Sequence, residues 1–205
     1  METETLEARA AKAAEVLRAG GLVLHATETV YGLAADPRQP GAVARARQLK
    51  GRDAAKPMLA LTDTWARVAS YLDAVPPPLA RLMAHEAPLA VTLLLPGSAA
   101  APEALRGPDG RLGLRRTADP FCRALVAALG APILSTSANP AGQPPPARFA
   151  DVDEALRRAV ELALDAGRPL AGVPSTVVGV DAAGRLEVVR EGAVPEAHLR
   201  QIAEA

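Results

Sequence analysis

The sequence predicts an α/β fold in a single domain, and three observations carry that prediction. Short apolar runs of strand length, such as residues 22–24, 89–95 and 131–134, alternate with longer segments of helical periodicity. Two of these runs open into hydroxyl-rich loops, Thr27-Glu28-Thr29 and Ser135-Thr136-Ser137. In open α/β sheets ligands collect at such strand ends, because loops there aim polar groups at a cleft. Finally, 205 residues with 19 prolines and 16 glycines spread throughout describe one domain with many tight connections, and no repeat or linker divides the chain.

Composition narrows the class. Hydrophobic residues make up 49% but aromatics only 2%, so the core is built from Ala, Leu and Val. The formal net charge is zero, and the charges are evenly spread: 11 basic and 10 acidic residues up to position 100, 12 and 13 beyond it. Non-specific nucleic-acid binding therefore has little electrostatic support. One cysteine, Cys122, excludes an intramolecular disulfide and fits a reducing cytoplasm. It falls within a helical segment beside Phe121 and Leu125 and reads as a packed, inert thiol. No apolar run approaches membrane-spanning length, and the acidic amphipathic N-terminus is no signal peptide.

In chain order, residues 6–19 read as a helix with Leu6, Ala10, Ala13, Ala14 and Leu17 on one face and Gly20-Gly21 as its stop. The strand 22–24 and the loop 27–33 follow, in which the threonines and Tyr31 supply hydroxyl contacts and Gly32 permits a turn or a close ligand approach. A helix over 41–49 ends at Lys50, and 57–61 is a strand. Asp63 caps a short helix through Trp65 and Val68, and 79–85 make another. Strands are expected at 89–95 and 112–116, a loop at 102–110, and a helix over 119–129. The Ser135–Asn139 loop then precedes a proline-rich rim over 140–146. Residues 152–164 read as helical, 177–180 and 186–190 as a strand pair, and Pro195 fits the first turn of a terminal helix.

The chemistry is first bounded by what is missing. There is no Gly-x4-Gly-Lys-Ser/Thr loop, no Gly-x-Gly-x-x-Gly after a strand and no Gly-x-Ser-x-Gly elbow. His25, His85 and His198 have no metal-ligand spacing, and a lone histidine at a strand end, as at His25, is most simply structural. The two hydroxyl-rich loops and a third Ser/Thr-rich loop, Pro174-Ser175-Thr176, remain, together with Lys50, Arg52, Lys56, Arg115 and Arg190. Only three of the 23 basic residues are lysines, and two of those, Lys50 and Lys56, flank Arg52. Lysine is a compact point charge suited to a phosphate oxygen, whereas arginine is a planar fork. The combination suits a small zwitterion together with an anionic polyphosphate.

Taken together, ATETVYGL at 26–33, KGRDAAKPM at 50–58, LGLR at 112–115, STSAN at 135–139, GVPSTVV at 172–178 and VVREGAV at 188–194 resemble the threonylcarbamoyl-AMP synthase family, the YrdC-like proteins. The resemblance implies one YrdC-like domain over residues 1–205, without a C-terminal extension, built on a twisted mixed sheet around a deep basic cavity. It implies a cytoplasmic nucleotidyltransferase that forms threonylcarbamoyl-AMP and pyrophosphate from L-threonine, bicarbonate and ATP. Partner proteins then transfer the threonylcarbamoyl group to tRNA. By the same resemblance Lys50 and Arg52 are catalytic, and Arg52, Lys56, Ser137, Asn139 and Arg190 hold ATP, with Mg2+ carried mainly by the phosphates. Thr29, Arg115, Ser135 and Ser175 hold threonine.

The chain departs from the family pattern at several positions. Ala26 stands where proline is usual, Leu61 where a substrate-associated histidine is common, and Thr117 and Asp119 where proline and histidine are typical. The 141–147 loop is altered, and Glu191 replaces a proline. These changes bear on amino-acid recognition and on the rim. Two rival readings are a carbamoyl-transfer domain like that of hydrogenase maturation and a non-catalytic module binding double-stranded RNA. Zero net charge and sparse aromatics weigh against the second.

Overall fold

The computed structural model describes residues 4–51 and 58–205. In order it contains α1 (Leu6–Arg18), β1 (Val23–Ala26), β2 (Tyr31–Ala35), α2 (Pro40–Leu49), β3 (Leu59–Thr62), α3 (Pro77–Ala84), β4 (Val91–Pro96) and β5 (Arg111–Arg116). There follow α4 (Pro120–Leu129), β6 (Ile133–Ser137), α5 (Glu154–Arg158), β7 (Leu162–Ala163), β8 (Thr176–Val180), β9 (Leu186–Arg190) and α6 (Glu196–Glu204). Among the described residues the strands form one nine-stranded sheet in the order β7-β1-β2-β6-β3-β5-β4-β8-β9. Pairing is parallel at β1–β7, β3–β5 and β4–β8 and antiparallel at the other contacts. The sheet is thus mixed, as expected.

The helices start and stop where their end residues satisfy the backbone. Thr5 Oγ1 accepts from Ala8 N at 3.2 Å to open α1, with Glu7 in its first turn and Arg18 in its last. Asp119 accepts from Cys122 N at 2.9 Å to open α4, Pro120 takes the first helical position, and Gly130 closes it at φ 75°. Each such N-cap contributes about 1 kcal/mol.

Strand alternation decides which face each helix covers. On β2, β3 and β6 the residues Leu33, Ala60 and Leu134 join the core under α2, α3 and α6. Their neighbours Ala34, Leu61 and Ile133 join the opposite core under α1 and α4. That second core draws no residue from β4, β5 or β8. Among the described residues, one face of the sheet is therefore helix-covered over β1, β2 and the inner parts of β6 and β3, and has no helix over β5, β4 and β8.

Three segments differ from the sequence reading. Asp63 caps no helix: Ala66–Tyr71 is a 3-10 helix without a side-chain cap, and Asp63 pairs with Arg67 at 2.6 Å instead. Tyr31–Ala35, read as part of a loop, is a strand antiparallel to β1. It is buried at every position, so it shows no alternation for a sequence reading to detect. The helix expected over 152–164 stops at Arg158, and Leu162–Ala163 pairs with Val23 and Leu24 as β7 instead.

Candidate functional site

On this face a cavity of about 350 Å³, a size typical of small-molecule pockets, spreads over the uncovered strands and the adjoining ends of β2, β6 and β3. Its floor is made by every second residue of the strands: Gly32, Ser135, Ser137, Leu59, Leu61, Gly113, Arg115, Thr92, Leu94 and Val177. Thr27 and Thr29 from the β1–β2 turn, Asn139, and the Pro174-Ser175 segment with Arg190 form the walls. The lining holds two arginines and, among the described residues, no carboxylate.

The threonine turn is held by its own hydroxyls. Thr27 Oγ1 donates to the Val30 carbonyl at 2.8 Å and accepts from the amides of Thr29 and Val30, each at 3.1 Å. Thr29 Oγ1 faces the Arg115 guanidinium, accepting from Nη1 and Nη2 at 3.2 Å. Arg115 is 3% exposed. Its Nε donates to Glu28 at 3.1 Å and its Nη2 lies 2.8 Å from the other Glu28 oxygen. Burial alone would push the Glu28 carboxyl up; the Arg115 charge and hydrogen bond, aided by the Thr117 hydroxyl, outweigh it and hold the group below the usual carboxylate range. Of the five N–H groups of the guanidinium, Glu28 takes two and Thr29 shares two. A carboxylate arriving at the end-on edge of Arg115 displaces only the long bonds to Thr29.

At the other end, Lys50 is 3% exposed at the C-terminal end of α2. Its Nζ donates to the carbonyls of Ser137 at 2.6 Å and Asn139 at 2.5 Å, with Ser137 Oγ at 3.2 Å and Asn139 Oδ1 at 3.1 Å. Lys50 does not line the cavity itself but lies behind it, against the Ser137–Asn139 segment that does. Asn139 extends the tie, its Nδ2 donating to the carbonyls of Pro140 at 3.0 Å and Gln143 at 2.6 Å. Gln143 and Pro145 of the proline-rich loop lie on the cavity rim. The Pro146 carbonyl accepts from Tyr31 N at 2.9 Å, so the loop is pinned to β2. On the far wall Ser175 Oγ is 2.9 Å from Thr92 Oγ1, and Arg190 Nη2 donates to the Ser175 carbonyl at 2.7 Å.

The structure thus brings Thr29, Arg115, Ser135, Ser137, Asn139, Ser175 and Arg190 to one cavity. Arg52 and Lys56 lie outside the described residues. Tyr31, read as a hydroxyl contact for a ligand, is a correction: it is fully buried beneath the sheet, donating to Asp165 at 3.1 Å and accepting from Ala166 N at 3.0 Å. Leu61, at the position of the missing histidine, lies on the cavity floor. Sequence reasoning missed Thr92 and the role of Glu28 as partner of Arg115. Thr92 left a signal, as the one hydroxyl in an otherwise apolar strand. Among the described residues no cluster of three or more His, Cys, Asp or Glu is placed to hold a metal, and no helix is long and apolar enough to cross a membrane.

Known proteins share this sequence pattern and this fold. The model of the Sua5/YciO/YrdC family, described as telomere recombination, matches residues 15–192. A threonylcarbamoyl-AMP synthase of Chromohalobacter salexigens is 37% identical over 169 residues, covering 82% of this chain and 91% of that one. That of Halorhodospira halophila is 38% identical over 144 residues, covering 70% and 75%. Among solved structures, P. abyssi Sua5 complexed with L-threonine superposes at a TM-score of 0.88 with 29% identity. The match covers 96% of this chain but only 57% of that longer protein. E. coli YciO superposes at 0.80 with 25% identity, covering 92% and 91%.

Proposed function

Because the chain belongs to the Sua5/YciO/YrdC family, we propose that it is a threonylcarbamoyl-AMP synthase: a nucleotidyltransferase joining L-threonine, bicarbonate and ATP. The observation that carries this reading is the cavity, where Arg115 with its hydroxyl neighbours faces Arg190 and the Ser137–Asn139 segment across a floor without carboxylates among the described residues. One end suits the carboxylate and hydroxyl of an amino acid, the other a polyphosphate.

In the proposed reaction the threonine amine captures CO2 to give a carbamate. A carbamate oxygen attacks the α-phosphorus of ATP, and the bond to the β-phosphate oxygen breaks to release pyrophosphate. No protein nucleophile is required; the chain contributes position and charge. Arg115, Thr29, Ser135 and Ser175 take the threonine end. Ser137, Asn139 and Arg190 take the nucleotide end with Arg52 and Lys56, while Lys50 sets the Ser137–Asn139 segment at its height. Mg2+ brought by the nucleotide would neutralise phosphate charge there, without needing a metal site of this chain's own residues. Partner proteins that carry the threonylcarbamoyl group onward to tRNA complete the proposal.

The experiment is a pyrophosphate-release assay with each of the three substrates omitted in turn. Release that depends on all three is the expected result. Release independent of threonine, or better with serine, opposes the assigned amino acid.

A further inference from the structure

His25 is the buried titratable side chain that the proposed reaction leaves without a task. It is fully buried on β1. Its Nδ1 lies 2.9 Å from the Ala26 carbonyl, which only accepts, so Nδ1 carries the ring proton and Nε2 presents a lone pair. Cys122 Sγ lies 3.3 Å from both that carbonyl and Nδ1, closing this side of the ring. Nε2 has no hydrogen-bond partner among the described residues. A buried polar atom left so is rare and calls for an explanation.

Its direction supplies one. His25 pairs with Gly32 across β1 and β2, and a Cβ added to Gly32 would meet His25 Nε2 at 3.2 Å and Ser135 Oγ at 3.1 Å. Glycine at this position therefore leaves a lane on the sheet with the imidazole acceptor on one side and the Ser135 hydroxyl on the other. Both Gly32 and Ser135 line the cavity, so the lane opens at the amino-acid end of the floor.

We propose that His25 is a positioning residue for that end: as an amino acid enters, the Ser135 hydroxyl turns into the lane at Gly32 and donates its proton to the unpartnered Nε2, leaving the Ser135 lone pairs toward the amine of the bound amino acid. The claim rests on the proposed function for the assignment of Ser135 to threonine. Protonating the ring reverses the arrangement, because an Nε2–H donates to Ser135 and turns its hydroxyl hydrogen toward the ligand amine. The groups facing the ring are Asp119, the N-cap of α4, Cys122 from its first turn, Glu28 from the threonine turn and Arg115 from β5. Burial opposes the charged ring most strongly, and although the Ala26 carbonyl, Asp119 and Glu28 favour it, the ring stays neutral below its ordinary range.

The test measures pyrophosphate release against threonine concentration for wild type, His25→Leu, His25→Gln, Ser135→Ala and the Leu/Ala double variant, between about pH 4.5 and pH 9, so that the range extends well to the acid side of the ordinary imidazole value. His25→Leu is expected to raise KM for threonine about tenfold, the worth of one hydrogen bond, with KM for ATP unchanged within about twofold. The double variant is expected to be no worse than Ser135→Ala alone. His25→Gln, whose amide oxygen accepts a hydrogen bond, restores most of the affinity and removes the acid-side rise in KM. A His25→Leu protein that melts earlier yet keeps its threonine KM, or a His25→Gln protein that keeps the acid limb, overturns the proposal. Should wild type show no threonine-dependent release, the proposed function fails, and the His25–Ser135 bond is still read from the imidazole 15N resonances as L-threonine is added. The Nε2 signal moves in wild type and not in Ser135→Ala if the bond forms, and a signal unmoved in both contradicts it.

Discussion

The Glu28 carboxylate lies 2.8 Å from the guanidinium of Arg115, and the two neighbours of this pair, Thr29 and Thr117, each place a hydroxyl on it. A buried guanidinium without such a partner is strongly destabilising. Glu28 therefore both permits Arg115 to be buried and fixes the plane of its fork before any ligand arrives. What remains exposed to the cavity is the edge facing Thr29. This relationship gives the first prediction. Arg115→Ala raises the threonine requirement roughly ten- to a hundredfold, the worth of a charge-assisted contact. ATP affinity, measured by calorimetry, stays nearly the same; a variant that loses ATP and keeps threonine reverses the assignment.

Lys50 supplies the second. Its ammonium meets four oxygens of Ser137 and Asn139 in a space where a planar guanidinium presents the wrong shape. Lys50→Arg is expected to cost about 1–3 kcal/mol of stability through overpacking, and to lower pyrophosphate release by moving the Ser137–Asn139 segment. Lys12→Arg, on the exposed face of α1, is the matched control and stays within about 0.5 kcal/mol. Equal melts and equal rates for the three proteins contradict the caged role.

Acid stability follows from two buried groups whose signs are worked separately. His25 in the fold lies below its ordinary value of 6.5, so below that pH the unfolded chain binds the proton first and stability falls toward the folded value. Glu28 in the fold lies below its ordinary value of 4.5, so its contribution is complete above 4.5 and is lost as pH drops through the folded value. Urea midpoints measured across this range are expected to decline in two stages. His25→Gln removes the upper stage and leaves the lower one; an unchanged upper stage contradicts the account of the buried ring.

Gly192 tests the far wall. A Cβ there would lie 2.3 Å from the Pro174 carbonyl oxygen and 2.5 Å from the Ser175 carbonyl carbon, contacts that backbone cannot yield without moving. Gly192→Ala is expected to destabilise by more than about 2 kcal/mol, and to loosen Ser175 and Arg190 together. Gly41→Ala, with nothing within 4 Å of its Cβ in α2, is the control. It is expected to be neutral or stabilising by up to about 1 kcal/mol. Equal urea midpoints for the two variants oppose the close packing of this wall.

How far the fold was legible depended on how local its signals were. Helices α1 and α4 carry their own caps and stops, Thr5 and Gly20 for one, Asp119, Pro120 and Gly130 for the other, so sequence sufficed. β2 was hidden because Tyr31–Ala35 is buried on both faces and contains Gly32, which reads as a turn. The 152–164 segment has helical spacing, yet pairing of Leu162 and Ala163 with β1 takes precedence over it. At the cavity, the hydroxyl loops were legible as loops after apolar strands. The cage around Lys50 and the lane between His25 and Ser135 were not, because they join residues 87 to about 110 positions apart in sequence and exist only once the sheet has ordered its strands. Tyr31 was misread for the opposite reason: within a motif its hydroxyl looks like its threonine neighbours, and only strand alternation sends it to the other face.

The central claim is tested most directly by the product. The protein is incubated with L-threonine, ATP and 13C-bicarbonate, and the nucleotides are separated and weighed by mass spectrometry. The account predicts a species containing AMP, threonine and one 13C carbon, formed in step with pyrophosphate. ADP and phosphate as the products, or an adenylate that carries no label, would contradict it.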